Sequence, residues 1–260
     1  MTPSSVLPIA GPEEVEAFLR RLPLAVDARR FSELVLGFPR RYLETTPAVE
    51  VVRHFALMNS LGSRPLVSSL APEGSSWRVC VVARDRRFLF TRLAGSLSCF
   101  GMNIVSADAF ANANALVLDT FLCVDEERYL ETPEHRRGLQ AFLEGVVGGS
   151  IDLEARLAER LPRLALAAGR SLALAWDNRA HPSATRLLVS SEDRLGLLYL
   201  LSRELSEAGC NIEMAYVETS GGAVSDAFFL TRDGQKLSEA HQRYVSQRLL
   251  ALGGPAAGAG

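Results

Sequence analysis

The feature that most constrains this chain is an internal repeat. The segment RDRRFLFTRLAGSLSCFGMNIVSADAF, Arg84 to Phe110, is followed about a hundred residues later by SEDRLGLLYLLSRELSEAGCNIEMAYV, Ser191 to Val217. At a constant offset of 108 residues Asp85 falls on Asp193, Leu89 on Leu197, Leu93 on Leu201, Leu97 on Leu205, Gly101 on Gly209, Asn103 on Asn211 and Ile104 on Ile212. Beyond the next turn the offset becomes 107, and Val117 falls on Val224, Asp119 on Asp226 and Phe121 on Phe228. One residue has been lost in a turn, where changes of length cost least. Any two amphipathic units share leucine spacing, but the aspartate, glycine and asparagine matches are not periodicity. The chain therefore carries one supersecondary unit twice.

Each copy reads as strand, helix, two strands and helix. WRVCVVARD alternates apolar residues as a half-buried strand does, and FLFTRLAGSLSCFG places Leu89, Leu93 and Leu97 on one helical face closed by Gly101. MNIVSADAF and ALVLDTFLCV form a hairpin around ANAN, and PEHRRGLQAFLEGVV supplies the second helix. The second copy repeats the order in TRLLVSSED, GLLYLLSRELSEAG, NIEMAYVET, AVSDAFFLT and SEAHQRYVSQRLLAL. Between the copies, SIDLEARLAERL reads as a helix and SLALAWDN, bounded by Asp177, Asn178 and Pro182, as a strand.

The first seventy residues are helical in pattern. GPEEVEAFLRRL opens on a proline and acidic residues; in TTPAVEVVRHFALMNSLG, Thr46 caps, Pro47 takes the first helical position, and Val51, Val52, Phe55 and Met58 share a face. SRPLVSSLAPEGSS, Ser63 to Ser76, breaks all periodicity and reads as a linker. The expected organisation is a helical segment with linker over 1–73, a first unit over 74–149, a connecting helix and strand over 150–182, a second unit over 183–252 and a disordered tail over 253–260. The expected fold is α+β, with antiparallel sheets.

Composition excludes several classes. A net charge of -2 and a pI near 6.1 leave no electrostatic footprint for nucleic acid or an anionic membrane. Cys80, Cys99, Cys123 and Cys210 form no C-x-x-C pair or zinc spacing and read as reduced thiols. No basic stretch precedes VLPIA, and LALAAGRSLALAW is interrupted and too short to span a bilayer, so a cytoplasmic protein without a signal peptide is expected. The β-α-β-β-α order is shared with RNA-binding modules, but those need basic, aromatic third strands, whereas each third strand here carries an aspartate. Asp119 and Asp226 are accordingly read as outward-facing carboxylates. His54, beside an apolar helix face, reads as a structural histidine.

At D-R-x-x-L followed by a helix, G-x-N-I and a hairpin, both units resemble the ACT domain, a ferredoxin-like (βαββαβ-type) small-molecule sensor. DNRAHPSATRLLVSSEDRLGLLYLLSRELSEAGCNI, Asp177 to Ile212, is similar to the last ACT repeat of the bifunctional uridylyltransferase/uridylyl-removing enzymes, which sense glutamine and modify the nitrogen-regulatory protein PII. Asp177, Asn178, Ser183, Thr185, Asp193, Arg194, Gly196, Leu197, Leu198 and Tyr199 carry that likeness. Asp85 to Phe121 resembles the first repeat, and FPRRYLETTPAVEVVRHFALMNSL resembles the segment preceding the pair. Neither the Gly-Ser turn with two aspartates of the transferase domain nor a His-Asp pair is present: the four histidines precede Phe55, Arg136, Pro182 and Gln242. The resemblance thus implies a non-catalytic regulatory protein without cofactor or metal. It also implies an amino-acid ligand, glutamine first in line, and a second copy or a regulatory protein as partner; the rival is a docking module that has lost its ligand.

In the family the ligand lies between the first strand-to-helix turn of one unit and the second strand of its neighbour. A glycine there lets backbone approach the ligand, and helix N-terminal amides favour its carboxylate. By that resemblance Asp193, Leu195, Gly196 and Leu197, with Asn211 and Ile212 opposite, are the candidate ligand-binding residues. Leu195 stands where a proline is common, and Gly196 is equally readable as a turn glycine. Phe88 fills the glycine's place in the first unit and is expected to pack. Asp85 and Asp193 also fit helix caps or turn residues, and Asn103 and Asn211 fit turn residues.

Overall fold

The computed structural model describes residue 9 and residues 12–20, 26–159, 172–220 and 222–252. The chain folds around an eight-stranded antiparallel sheet in the order β1-β2-β4-β3-β7-β8-β6-β5. The strands are β1 (Leu66–Glu73), β2 (Ser76–Arg84), β3 (Asn103–Ala111), β4 (Leu116–Val124), β5 (Ala173–Asp177), β6 (Thr185–Glu192), β7 (Asn211–Ser220) and β8 (Ala223–Thr231). Among the described residues, four short helices precede the sheet: α1 (Pro12–Leu19), α2 (Ala28–Val35), α3 (Arg41–Thr45) and α4 (Ala48–Ser60). The first repeat contributes α5 (Leu89–Cys99) and α6 (Pro133–Gly148), the connection α7 (Leu153–Ala158), and the second repeat α8 (Leu197–Glu207) and α9 (Glu239–Ala251). The two units are ferredoxin-like, and the expected α+β class holds.

The two copies join through β3 and β7, where Ala107 pairs with Val217, Asp108 with Tyr216 and Ala109 with Ala215. Because Asp108 and Tyr216 are themselves repeat equivalents, this register places a local twofold axis at their pair. A shift by one residue would reverse the face of every side chain at the seam. The repeat is thus satisfied within one chain: each unit covers the exposed edge of the other.

The segment Ser63 to Ser76, expected as a linker, instead holds β1, paired along its length with β2 from Leu66 against Ala83 to Glu73 against Ser76. Its Pro72 and Gly74 obscured the strand. Both are tolerated because β1 is an outer strand and Gly74, at φ 60°, forms the hairpin turn. The outer strand of each unit therefore precedes the repeat, as β1 and as β5, where a βαββαβ order would have placed it last. A smaller correction concerns α4: Pro47 is its cap residue and Ala48 its first helical residue, with no side-chain cap from Thr46.

Helices cover both faces of the sheet. Leu89, Leu93, Leu97, Leu197, Leu201 and Leu205, the leucines of the repeat, are all buried on one face with Phe121 and Phe228. There α5 and α8 pack across the seam, Thr91 Oγ1 lying 3.2 Å from Ser206 Oγ. The other face is covered by the N-terminal helices and their connections, whose Phe31, Val35, Phe38 and Tyr42 join Val82, Phe110 and Leu118 of the first unit and Met214, Tyr216 and Phe229 of the second in one core. Arg41 of α3 sits over the axis pair, its guanidinium 4.7 Å from the Tyr216 ring centroid and 3.9 Å from Asp108 Oδ1. The helical segment therefore spans both units. The expected helix SIDLEARLAERL is seen as α7; its Leu161, the stretch 160–171 and the tail 253–260 lie outside the described residues.

Candidate functional site

The local twofold generates two equivalent positions at the seam, and they are not alike. At one, the turn between β6 and α8 (Asp193 to Gly196) faces the start of β3. At the other, the turn between β2 and α5 (Asp85 to Phe88) faces the start of β7. Both turns are built the same way: the Asp85 amide donates to Ala115 O at 2.8 Å and the Asp193 amide to Gly222 O at 2.9 Å. Gly196 adopts φ 80° and Phe88 adopts φ 63°, so Phe88 takes up a left-handed geometry that its side chain disfavours.

The first position is closed. Asn103 Nδ2 donates to Asp193 Oδ2 at 2.8 Å across the seam, and the cavity bounded by Asn103, Ile104, Asp193, Arg194, Leu197, Leu198 and Asp226 is only about 10 Å³. The second is a cleft of about 550 Å³ between Asp85, Arg86, Arg87 and Phe88 on one side and Asn211, Ile212 and Glu213 on the other. Asn211, the equivalent of Asn103, does not reach across to Asp85 there. Its Nδ2 donates instead to Glu213 Oε1 at 2.9 Å, and the same carboxylate oxygen accepts from Thr231 Oγ1. Glu213 is the bulged residue between Ile212 and Met214, as Val105 is between Ile104 and Ser106. A bulge re-aims its side chain, and here the re-aimed carboxylate draws Asn211 away from the seam.

The predicted residues are therefore divided. Asp193 and Leu197 lie at the closed end with Asn103 and Ile104; Gly196, buried and left-handed, and Leu195 complete that turn. Asn211 and Ile212 do not lie opposite Asp193 but line the open cleft with the first unit's turn. The half-buried Phe88, expected only to pack, lines that cleft too, with the Arg87 guanidinium 5.5 Å from its ring centroid. Asp85 does not cap α5, whose cap residue is Phe88 with no side-chain hydrogen bond.

Asp119 and Asp226 correct the sequence reading outright. Both are buried, each 1% exposed, on the sheet face covered by α5 and α8. Asp119 lines the open cleft and both its carboxylate oxygens lack a hydrogen-bond partner among the described residues. Burial, and then the negative charge of Asp85, push its pKa well above the usual carboxylate value. Asp226 lines the closed end, and burial with the nearby Asp193 charge raises its pKa to about 8, against a hydrogen bond from the Glu218 amide. Asp85 is itself raised, first by burial and then by Glu213. The signal was legible: Asp119 shares strand parity with Val117, Phe121 and Cys123, so alternation places it on the buried face. Glu213 was missed, although it is the one charged residue where the overlay has a valine.

Elsewhere His54 is a structural histidine, 3.2 Å from Tyr42 Oη and 3.5 Å from Cys80 Sγ, and burial lowers its pKa to about 4. Among the described residues none of the four cysteines forms a disulfide, no group of three or more His, Cys, Asp or Glu side chains could hold a metal ion, and no helix is long and apolar enough to cross a membrane.

Two ferredoxin-like units sharing a sheet through their inner strands, with small-molecule-sized space at the seam, fit the tandem ACT-type arrangement that the sequence resembles. The comparisons with known proteins narrow this. The chain is 30% identical over 208 residues to the bifunctional uridylyltransferase/uridylyl-removing enzyme of Phenylobacterium zucineum, covering 78% of this chain and 22% of that protein. It is 31% identical over 260 residues to the enzyme of that name from Azospirillum brasilense, covering 94% of this chain and 28% of that one. It thus resembles one portion of these enzymes, consistent with a C-terminal ACT-like region, and spans about a quarter of their length. No protein-family model matches the chain. A crystal structure of aspartate kinase from Synechocystis aligns with a TM-score of 0.40 at 15% identity, over 96% of this chain and 39% of that one.

Proposed function

We propose that this chain is a non-catalytic regulatory module of the cytoplasm that binds a free amino acid, glutamine first in line, in the cleft between the first unit's turn and the start of β7, in the service of nitrogen regulation. The observation that carries the reading is the asymmetry of the seam: one end is tied shut by Asn103 and Asp193, while the other keeps about 550 Å³ open. Small-molecule sites are concave, with a few polar groups converging on them, and seams between repeats are common places for them. Asn211 and Ile212 belong to this site. The turn Asp193 to Leu197 serves to lock the other end.

A thermal-shift panel of the twenty amino acids at millimolar concentration tests the reading. A ligand at a hundred times its Kd adds about 2.7 kcal/mol of stability, and glutamine is expected to raise the melting temperature. No shift with any of the twenty removes the amino-acid reading. The alternative of a docking module without ligand is favoured by one observation, the filled space at the Gly196 end; capture of a second protein by a chain that shows no shift would establish it.

A further inference from the structure

Resting on that reading, one property of the cleft specifies its ligand more closely than size does. Asp119 is a buried carboxylate on the inner wall of an open cleft, and neither of its oxygens has a hydrogen-bond partner among the described residues. An ionised carboxylate so placed costs free energy unless a cation or donor meets it. Among the described residues no arginine answers it from within. Of those around the cleft, Arg86 donates through Nη1 to Val147 O at 2.8 Å, Arg87 lies over the Phe88 ring, and Arg232 donates to His241 Nδ1 at 2.9 Å. The acidic groups that line the cleft with Asp119 are Asp85, from the turn after β2, Glu213, from the β7 bulge, and Asp233, after β8. Of these, Asp85 is the one whose charge acts on Asp119. The closed end offers no such place, because there Asn103 already donates to Asp193.

We propose that the cleft recognises the ammonium group of its ligand, taken up between Asp85, Asp119 and Glu213, and that Asp119 gives up a proton when that group arrives. In the free cleft burial and then the charge of Asp85 both raise the Asp119 pKa, disfavouring a second anion there. An incoming ammonium reverses that balance, and the carboxylic acid ionises to form an ion pair while its proton leaves to solvent. Binding is thereby linked to proton release. Below the pKa of the free Asp119, affinity rises with pH by up to about tenfold per unit. The arginines at the mouth, Arg87 and Arg232, complement the carboxylate of the same zwitterion.

The test is calorimetric titration at pH 7 in two buffers of different ionisation enthalpy, with L-glutamine, with 4-aminobutanamide, which lacks the carboxylate, and with glutaramic acid, which lacks the amine. Glutamine and 4-aminobutanamide are expected to bind with release of up to one proton, and glutaramic acid to bind at least tenfold more weakly than glutamine. Asp119→Asn abolishes the proton release, and Asp226→Asn leaves it in place. Should Asp119→Asn fail to fold, the proton count and pH dependence of the wild-type chain decide alone. Glutaramic acid binding as tightly as glutamine, or glutamine binding without proton exchange, overturns the inference while leaving a small-molecule sensor intact. Binding of 4-aminobutanamide without binding of glutamine removes the amino-acid reading and keeps the cation site. Failure of both amines to bind refutes the inference.

Discussion

Replacing Asp226 by asparagine tests the electrostatics of the buried carboxylates most directly. Asp226 is buried with Oδ1 unpartnered, and its pKa stands at about 8 against 3.8 for an ordinary aspartate. A group whose folded pKa is raised binds a proton in the native state that the unfolded chain has already released. Stability then falls as pH rises from the unfolded pKa toward the folded one, and the full penalty is present only above pH 8. Between pH 5 and pH 7 the native side chain keeps its proton and the unfolded one has lost it, so the slope is close to 1.4 kcal/mol per pH unit. The wild-type chain should therefore lose about 2.7 kcal/mol relative to Asp226→Asn over those two units. Asparagine is close in shape to the protonated acid, and its oxygen can accept the same Glu218 amide, so the two proteins should nearly coincide only below the unfolded pKa, and by pH 5 the linkage already sets them about 1.6 kcal/mol apart. Asp119, present in both, titrates in the same direction and cancels in the comparison. Thermal unfolding at pH 5, 6 and 7 reads the difference as a gap that opens by about 5–10 °C. A gap that stays constant across that range refutes the reasoning and means that Asp226 is ionised and stabilised by a group not recognised above.

Three other substitutions probe the seam. Gly95 faces α8, where an added Cβ would stand 2.8 Å from the Tyr199 ring, itself fixed by its hydroxyl donating to Glu154; Gly95→Ala should cost about 1–3 kcal/mol in chemical denaturation, and a neutral result would show that the two helices separate freely. Phe88→Gly relieves a left-handed φ worth about 1–2 kcal/mol but gives up a half-buried ring; denaturant midpoints should move by less than about 1 kcal/mol while amino-acid affinity changes, and a large loss of stability would make the ring a core residue. Glu213→Val restores the residue of the first copy and frees Asn211 to reach Asp85, so it should close the cleft and remove any ligand-induced thermal shift; an undiminished shift would place the ligand elsewhere.

Much of this architecture was legible because the repeat is written in polar as well as apolar residues. The leucine rows, the terminating glycines Gly101 and Gly209, at φ 75° and 80°, and the hairpins all follow from local rules. β1 was not legible, because an outer strand tolerates the proline and serine that disqualify a central one. The site was read only by half. Alternation marks Asp119 and Asp226 as inward-facing, and only the expectation that strand carboxylates face water hid them. What no local rule gives is the competition for Asn211. Whether that amide crosses the seam or turns back depends on where a bulge aims Glu213, and the equivalent bulge in the first copy aims a valine that competes for nothing.

The local twofold at Asp108 and Tyr216 has a further consequence. In an assembly of identical chains, any substitution at the seam appears at both ends at once, so a pocket and a lock cannot be separated. Here the halves are covalently joined, both inner strands are committed to one another, and Arg41 and the N-terminal helices lie across the join. Each end can then carry its own mutation. One copy is free to give up its opening and become a fixed hinge plate, while the other keeps a chamber.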